Sequence, residues 1–167
     1  MFRSADRLPA MADLRELLKD YVTSGKAMQL ATLDSDGAPY VNNLWFASSL
    51  GPDRLYFISR PNRLHCEYIR SRPRVAGAIL AIELQSLSQA VRGVTFTGTA
   101  AELPTTGIDN QIAVYVGRWP EAAKAIDPVR LASGEAHHRL YEITVTGWVL
   151  YDEENFRADP RQPIEAL

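Results

Sequence analysis

The stretch from Met28 to Arg74 constrains the fold more than any other part of the chain. It contains three apolar or alternating runs, separated by an Asp-Gly pair and a Gly-Pro pair, over residues 28–33, 38–46 and 55–59. Such runs joined by these turn residues are typical of antiparallel strands with tight connections. The sequence therefore predicts a three-stranded meander at the centre of the fold.

A helical pattern follows the third run directly. The helix is predicted to begin at Pro61. Proline is favoured in the first helical turn, because backbone N–H groups there have no intrahelical partner and the N–H that proline lacks is not missed. Leu64, Tyr68 and Ile69 share one face of this helix. The helix is predicted to end at residues 71–73, because Pro73 disfavours helical conformation in the residue before it.

The junction between this strand and helix has the composition of an anion site. It carries a hydroxyl, an amide and two guanidinium groups, from Ser59, Asn62, Arg60 and Arg63. These groups can converge on a phosphate together with free backbone N–H groups and the positive end of the helix dipole. The same residues also suit an ordinary capped helix start with solvated charges, and Arg60 can point at a phosphate oxygen or into water.

The rest of the chain continues with helical and strand patterns. An amphipathic helix is predicted from Met11 to Ser24. Further strands are predicted over residues 74–84, 90–103 and 138–152, and helical pieces over 108–119 and 121–131. Gly98 is a candidate β-bulge or point of close approach. Six sequential strands with local connections favour a closed or nearly closed barrel, so the predicted fold class is α+β with a small antiparallel barrel and flanking helices.

Length and charge predict a single-domain protein without a nucleic-acid partner. A chain of 167 residues that is 46% hydrophobic can build one core, so we expect one domain over 1–167, with an arm over 1–10 and a tail over 153–167. A net charge of −2 gives no uniform basic field. The sequence shows neither a membrane-span-length apolar run nor a hydrophobic signal core, and the lone Cys66 fits a reducing compartment, so a cytoplasmic location is expected, with no membrane partner.

The order of several motifs resembles that of a known family. The motifs are Gly37–Phe46, Leu55–Ser59, Asn62–Leu64, Arg72–Val75 and Val91–Gly98. In order and spacing they resemble the pyridoxamine 5'-phosphate oxidase-like, FMN-binding split-barrel family, and most closely its YhbP-type branch. The resemblance covers Met11 to Leu103 well and the rest loosely. It implies a six-stranded split β-barrel of Greek-key type and a homodimer with two FMN sites at the subunit interface.

The resemblance also implies which residues contact the cofactor. The strand that borders the flavin ring carries Val41, Asn42, Asn43 and Leu44, and the phosphate-binding segment carries Ser59, Asn62 and Arg63. Asparagine is depleted in strands, so the two amides need partners, which are either the flavin edge or a polar dimer contact. Arg92 begins a later strand, where a cation can face the phosphate or the flavin N1–C2 region.

Other candidate sites are weaker. His65 and Cys66 are adjacent on a predicted helix and point about 100° apart, so no metal site is expected. Trp45 and Trp148 are predicted as core or dimer-interface residues, and Trp119 as a residue of the barrel mouth or of the partner's site. No nucleophile, base and orienting acid are recognisable, so no catalytic residue is assigned.

Two functions remain open at this point. The first is an FMN-dependent oxidoreductase that acts on a small organic substrate. Vitamin B6 oxidation is not expected, because residues 137–141 do not match the Arg-Leu-His-type signature of true pyridoxine phosphate oxidases. The second is a non-catalytic module that holds flavin or haem for storage or sensing, with His137 or His138 as a haem ligand. FMN is the expected cofactor, and FAD, haem and deazaflavin are the alternatives within this family.

Overall fold

A computed structural model describes residues 11–167, with side chains from Leu14 onward, so the predicted arm over residues 1–10 lies outside the described residues. The helices within this range are α1 (Met11–Ser24), α2 (Leu64–Ser71), α3 (Asp109–Arg118) and α4 (Pro128–Ser133), with a 3-10 helix over Pro120–Lys124. None of the described helices is long and apolar enough to cross a membrane.

Within the described residues, eight strands form one antiparallel sheet. They are β1 (Ala27–Leu33), β2 (Pro39–Trp45), β3 (Ala47–Ser49), β4 (Arg54–Ser59), β5 (Arg74–Leu80), β6 (Arg92–Glu102), β7 (Arg139–Asp152) and β8 (Arg161–Glu165). The hydrogen-bonded order is β2-β1-β5-β6-β7-β4-β3, and β8 pairs with β7. The sheet curls so that β2 also contacts β4, although no hydrogen-bonded ladder joins them in the described range. This is the predicted α+β split barrel, with eight strands instead of six.

Strand pairing differs from the prediction in two places. The hairpin of β1 and β2 is present, with Ala31 opposite Val41. The third predicted strand, β4, pairs with β3 and β7 instead of β2, because the hairpin partner of β4 is the short β3. The segment predicted as a C-terminal tail contains β8, whose Ile164 is only 6% exposed and packs in the core despite its charged neighbours.

Helix α2 begins later than predicted. Residues 61–63 form a turn, in which the backbone N–H of Arg63 donates to the carbonyl of Arg60 at 3.1 Å, and the helix starts at Leu64. The junction is therefore an exposed turn between a strand and a helix.

The sheet separates two apolar layers. The first lies inside the curl and includes Phe57 and Trp148. The second lies between the sheet and the segment from α3 to α4, and includes Tyr115 and Leu131. Successive side chains of a strand point to opposite faces, so along β4 Phe57 and Ser59 face the first layer and Ile58 faces the second. This alternation decides which junction residues can share a site.

Gly98 is a point of close approach opposite a β-bulge, whereas the bulge itself lies on β7. Thr97 is opposite Gly147 and Gly98 is opposite Val145, so Thr146 is the extra residue of the bulged strand. A Cβ at Gly98 would lie 2.4 Å from the carbonyl oxygen of Thr144. We expect Gly98→Ala to lower the free energy of unfolding by about 1–3 kcal/mol, as overpacking does. Urea denaturation measures this change.

Gly117 provides the matched control for that substitution. It lies in α3, and no described atom beyond its neighbours lies within 4 Å of a Cβ built there. Gly117→Ala should therefore raise stability by about 0.5–1 kcal/mol, because alanine is the better helix former. Equal stability of Gly98→Ala and the wild-type protein would contradict the close approach at the bulge.

Candidate functional site

The β4–α2 turn presents cationic side chains. Arg60, Asn62 and Arg63 are all exposed, and Arg63 is the N-cap residue of α2 without a side-chain hydrogen bond to the helix. Neither guanidinium forms an ion pair within the described part of the chain. Both are therefore available to an anion.

A cavity of about 420 Å³ lies beside this turn, and we call it the basic cavity. It is lined by Arg60, Pro61, Asn62, Ala136 and His137. Burial lowers the pKa of His138, and the charges of Arg60 and His137 lower it further. The lowered pKa favours the neutral imidazole of His138, so the segment before β7 brings imidazole nitrogens, and not a positive charge on His138, to the cationic turn. The sequence suggested His137 and His138 only as possible haem ligands.

Ser59 faces away from the basic cavity. It is 8% exposed, and its Oγ lies 2.9 Å from Nε2 of His65 in α2. Burial and the charge of Arg63 lower the pKa of His65, which favours the neutral imidazole. Arg70 supports the same turn, because its guanidinium donates to the carbonyl of Pro61 at 2.8 Å. These contacts of α2 with Ser59 and Pro61 fix the position of the β4–α2 turn.

β2 places the predicted ring-contacting residues on an edge strand. Val41, which is 60% exposed, and Asn43 point outward, whereas Asn42 and Leu44 are half-buried, so the two asparagines face opposite sides as predicted. Within the described range, the edge of β2 away from β1 has no paired strand, and edge strands present free backbone N–H and C=O groups. Nδ2 of Asn42 is buried without a hydrogen-bond partner among the described residues.

A second cavity, of about 550 Å³, opens where β2 faces β4, and we call it the aromatic cavity. It is lined by Asn43, Leu44, Trp45, Ile58, Tyr115, Trp119, Glu121, Ala122 and Ala125. Ile58 lines this cavity and Arg60 lines the basic cavity, and two residues along an extended chain span about 7 Å. The two cavities are therefore neighbours along β4.

Two tryptophans shape the aromatic cavity. The rings of Trp45 and Trp119 meet edge to face, with centroids 4.8 Å apart. Trp45 is 60% exposed and lies outside the core, whereas Trp148 is buried in the core. Trp119 lies at the mouth between β2 and the helical segment, one of the two positions that the sequence suggested. Sequence reasoning missed Tyr115 and Glu121 as site residues, because the helical stripe of α3 does not show which sheet face it covers.

Arg92 lies apart from both cavities. It is in register with Asp152 at one end of β7, whereas Ser59 is in register with Arg139 at the other end. One of its terminal nitrogens lies 3.3 Å from a carboxylate oxygen of Glu154. Within one chain, Arg92 does not join the other predicted ligand-binding residues.

Solved structures share this fold at low sequence identity. A haem-binding protein from Mycobacterium smegmatis aligns with a TM-score of 0.73 and 17% identity over 95% of this chain, which spans only 59% of that protein. A FAD-binding protein from Mesorhizobium loti aligns with a TM-score of 0.61 and 23% identity, over 84% of this chain and 92% of that one. The haem storage protein HutZ from Vibrio cholerae aligns with a TM-score of 0.57 and 17% identity, over 79% of this chain and 90% of that one.

The sequence itself assigns the chain to a family. No curated protein matches it. The profile of the family described as pyridoxamine 5'-phosphate oxidase matches residues 14–151, which include every strand from β1 to β6 and nearly all of β7. The chain therefore belongs to the pyridoxamine 5'-phosphate oxidase family.

Proposed function

We propose that this protein is an FMN-binding flavoprotein that exchanges electrons with a small organic substrate. The observation that carries the proposal is the pair of neighbouring cavities along β4, one basic and one aromatic. A basic cavity suits a phosphate, and an aromatic cavity suits a planar ring. Both volumes lie within the range of about 300–1,000 Å³ that is usual for small-molecule sites.

The residues at the two cavities fit the two ends of FMN. Arg60 and Asn62 line the phosphate end, with Arg63 and His137 adding positive charge or donors. A planar guanidinium can bind two phosphate oxygens at once. At the ring end, the free edge of β2 offers N–H and C=O groups that complement the carbonyls and N–H of the flavin pyrimidine edge.

Asn43 and Leu44 are the β2 residues that would border the ring, because both line the aromatic cavity. Val41 and Asn42 lie on the same strand but do not line this cavity, and Val41 lines the cavity on the outer sheet face instead. Nδ2 of Asn42 is a buried donor without a partner among the described residues, which costs about 1–3 kcal/mol.

The chemistry would come from the bound FMN, which accepts and releases electrons. The chain supplies binding and shielding. Arg60 and Asn62 hold the phosphate, β2 orients the ring, and Trp45 and Trp119 exclude water from one side. Vitamin B6 oxidation is not part of the proposal.

We also propose that two copies of the chain assemble through the outer sheet face beside β2. This face holds a shallow cavity of about 540 Å³, and none of the described residues that line it is charged. Small side chains such as Ala31, Ala76 and Ala78 allow close approach, and the exposed Val41 adds apolar area. Depletion of charge is the signature of the centre of a protein interface.

A non-catalytic haem or flavin module is the second candidate. His137 lines the basic cavity and His138 lies near it, so either imidazole is placed to ligate the iron of a planar haem. Haemin titration separates this candidate from the first: a Soret band that disappears when both histidines are replaced by alanine would favour haem.

Titration of the purified protein with FMN tests the first proposal. We expect saturable quenching of flavin fluorescence, a shifted visible spectrum of the bound flavin, and a sedimenting mass near twice that of the 18.6 kDa chain. Reduction of the bound flavin by a nicotinamide donor or another small donor would support the oxidoreductase. Bound flavin that no donor reduces would favour the module, and failure to bind FMN would overturn the flavoprotein.

A further inference from the structure

The aromatic cavity has two walls of different chemistry. Asn43, Leu44 and Ile58 form the sheet wall, next to the free edge of β2. Tyr115, Trp119 and Glu121 belong to the opposite, helical wall, with Trp45 between the two. If the flavin ring lies along β2, as the proposed function requires, the helical wall is left to contact the second reactant.

The polar groups of the aromatic side chains in the helical wall are hydrogen-bonded within the protein. Nε1 of Trp119 donates to the carbonyl of Phe46 at 2.7 Å, and the hydroxyl of Tyr115 donates to the carbonyl of Trp45 at 3.4 Å. Burial raises the pKa of Tyr115 to about 12, so its ring remains uncharged. These residues therefore offer a ligand π surface and no free donor.

Glu121 is the charged member of the described residues that line this cavity. Its carboxylate forms no ion pair within the described part of the chain. The guanidinium of Arg118 already lies over the ring of Trp119, 5.3 Å from its centroid, so the exposed Trp45 provides the more open ring face. That guanidinium also donates to the carbonyls of Thr23 and Gly25, lines a separate cavity and forms no ion pair with Glu121.

We propose that the helical wall selects a flat aromatic cation of the N-alkylpyridinium class. The faces of aromatic rings carry negative potential and attract cations, and tryptophan does so most strongly. A single unpaired carboxylate at the same cavity adds to this preference. The aromatic cavity carries a negative side chain, whereas the neighbouring basic cavity carries positive side chains and would take the phosphate of the cofactor. The inference rests on the proposed function in one respect: it takes the sheet wall to be occupied by the flavin ring.

Two probes of equal shape test the charge preference. The cation is 1-methyl-3-carbamoylpyridinium, and 3-methylbenzamide is its neutral counterpart. Their affinities are measured by equilibrium dialysis against the purified protein, with and without saturating FMN. We expect the cation to bind about three- to fivefold more tightly at low salt, as a partly exposed cation–π and carboxylate contact allows. Added salt should reduce this ratio.

Glu121→Gln is the decisive variant, because it keeps the size of the side chain and removes its charge. The ratio of the two affinities should fall in Glu121→Gln but stay above one, because the tryptophan rings still attract the cation, and it should stay unchanged in Glu16→Gln, which removes another exposed carboxylate, on α1. Trp45→Leu should weaken binding of the cation more than binding of the neutral probe.

Equal affinity of the wild-type protein for both probes, or a preference in Glu121→Gln as large as in the wild-type protein, would overturn the inference. Loss of FMN binding with an intact cation preference would count against the proposed function alone. Bound FMN without any cation preference would count against the inference alone.

Discussion

Replacing Asp53 with alanine is expected to lower the free energy of unfolding by about 3–5 kcal/mol, the range for breaking a buried ion pair. Asp53 is fully buried between β3 and β4, and both of its carboxylate oxygens bind the guanidinium of Arg15 in α1. It also accepts from Nε1 of Trp148 at 2.8 Å and from the backbone N–H of Leu167 at 3.3 Å. Alanine would leave a partly buried guanidinium and a buried indole N–H without their acceptor.

Thermal and urea denaturation of Asp53→Ala measure this loss. For a chain of this size, the expected change corresponds to a Tm about 6–20 °C lower. The stability of Asp53→Asn should lie between those of the wild-type protein and Asp53→Ala, because the asparagine carbonyl oxygen can still accept from Trp148 but carries no charge. Asp20→Ala is the control, since Asp20 is exposed on α1 and should change stability by no more than about 0.5 kcal/mol. An Asp53→Ala protein as stable as this control would show that the carboxylate does not join α1 to the sheet.

Local patterns predicted most of the elements, because the signals for strands, helices and turns extend over only a few residues. The hairpin of β1 and β2 and the close approach at Gly98 are examples. The pairing of β4 with β7 could not be predicted, since nothing near β4 in the chain marks a partner so distant in sequence. β3 has only three residues, too few to show a period.

The same limit applies to the candidate site. The positions of Arg60, Asn62 and Arg63 on an open turn follow from a strand that leads into a helix, and the structure places all three there. His137 reaches the basic cavity only through the pairing of β4 with β7, and Trp119 reaches β2 only through the docking of α3. The sequence places Ser59 with the phosphate-binding residues, yet the alternation along β4 turns its side chain toward His65.

Replacing both Arg60 and Arg63 with alanine is expected to weaken FMN binding at least about 100-fold. A hydrogen bond to a charged group contributes about 1.5–3 kcal/mol, and each 1.4 kcal/mol is a factor of ten in affinity. Both guanidinium groups are free of ion pairs in the described residues, so no internal partner competes with the phosphate for them. Arg60→Lys should lose less affinity for FMN than Arg60→Ala, because lysine keeps the positive charge although it lacks the planar guanidinium.

Riboflavin distinguishes loss of phosphate binding from general damage to the site, because it carries the same ring without the phosphate. The double variant should bind riboflavin as the wild-type protein does and should lose its preference for FMN. Replacing Lys19 and Arg157 together with alanine removes two exposed cations elsewhere and should leave both affinities unchanged. If the Arg60 and Arg63 variant lost affinity for riboflavin and FMN equally, or for neither, the phosphate would not lie at the β4–α2 turn. Fluorescence titration with each flavin, repeated at low and high salt, provides the measurement, since only a charge-assisted contact weakens with ionic strength.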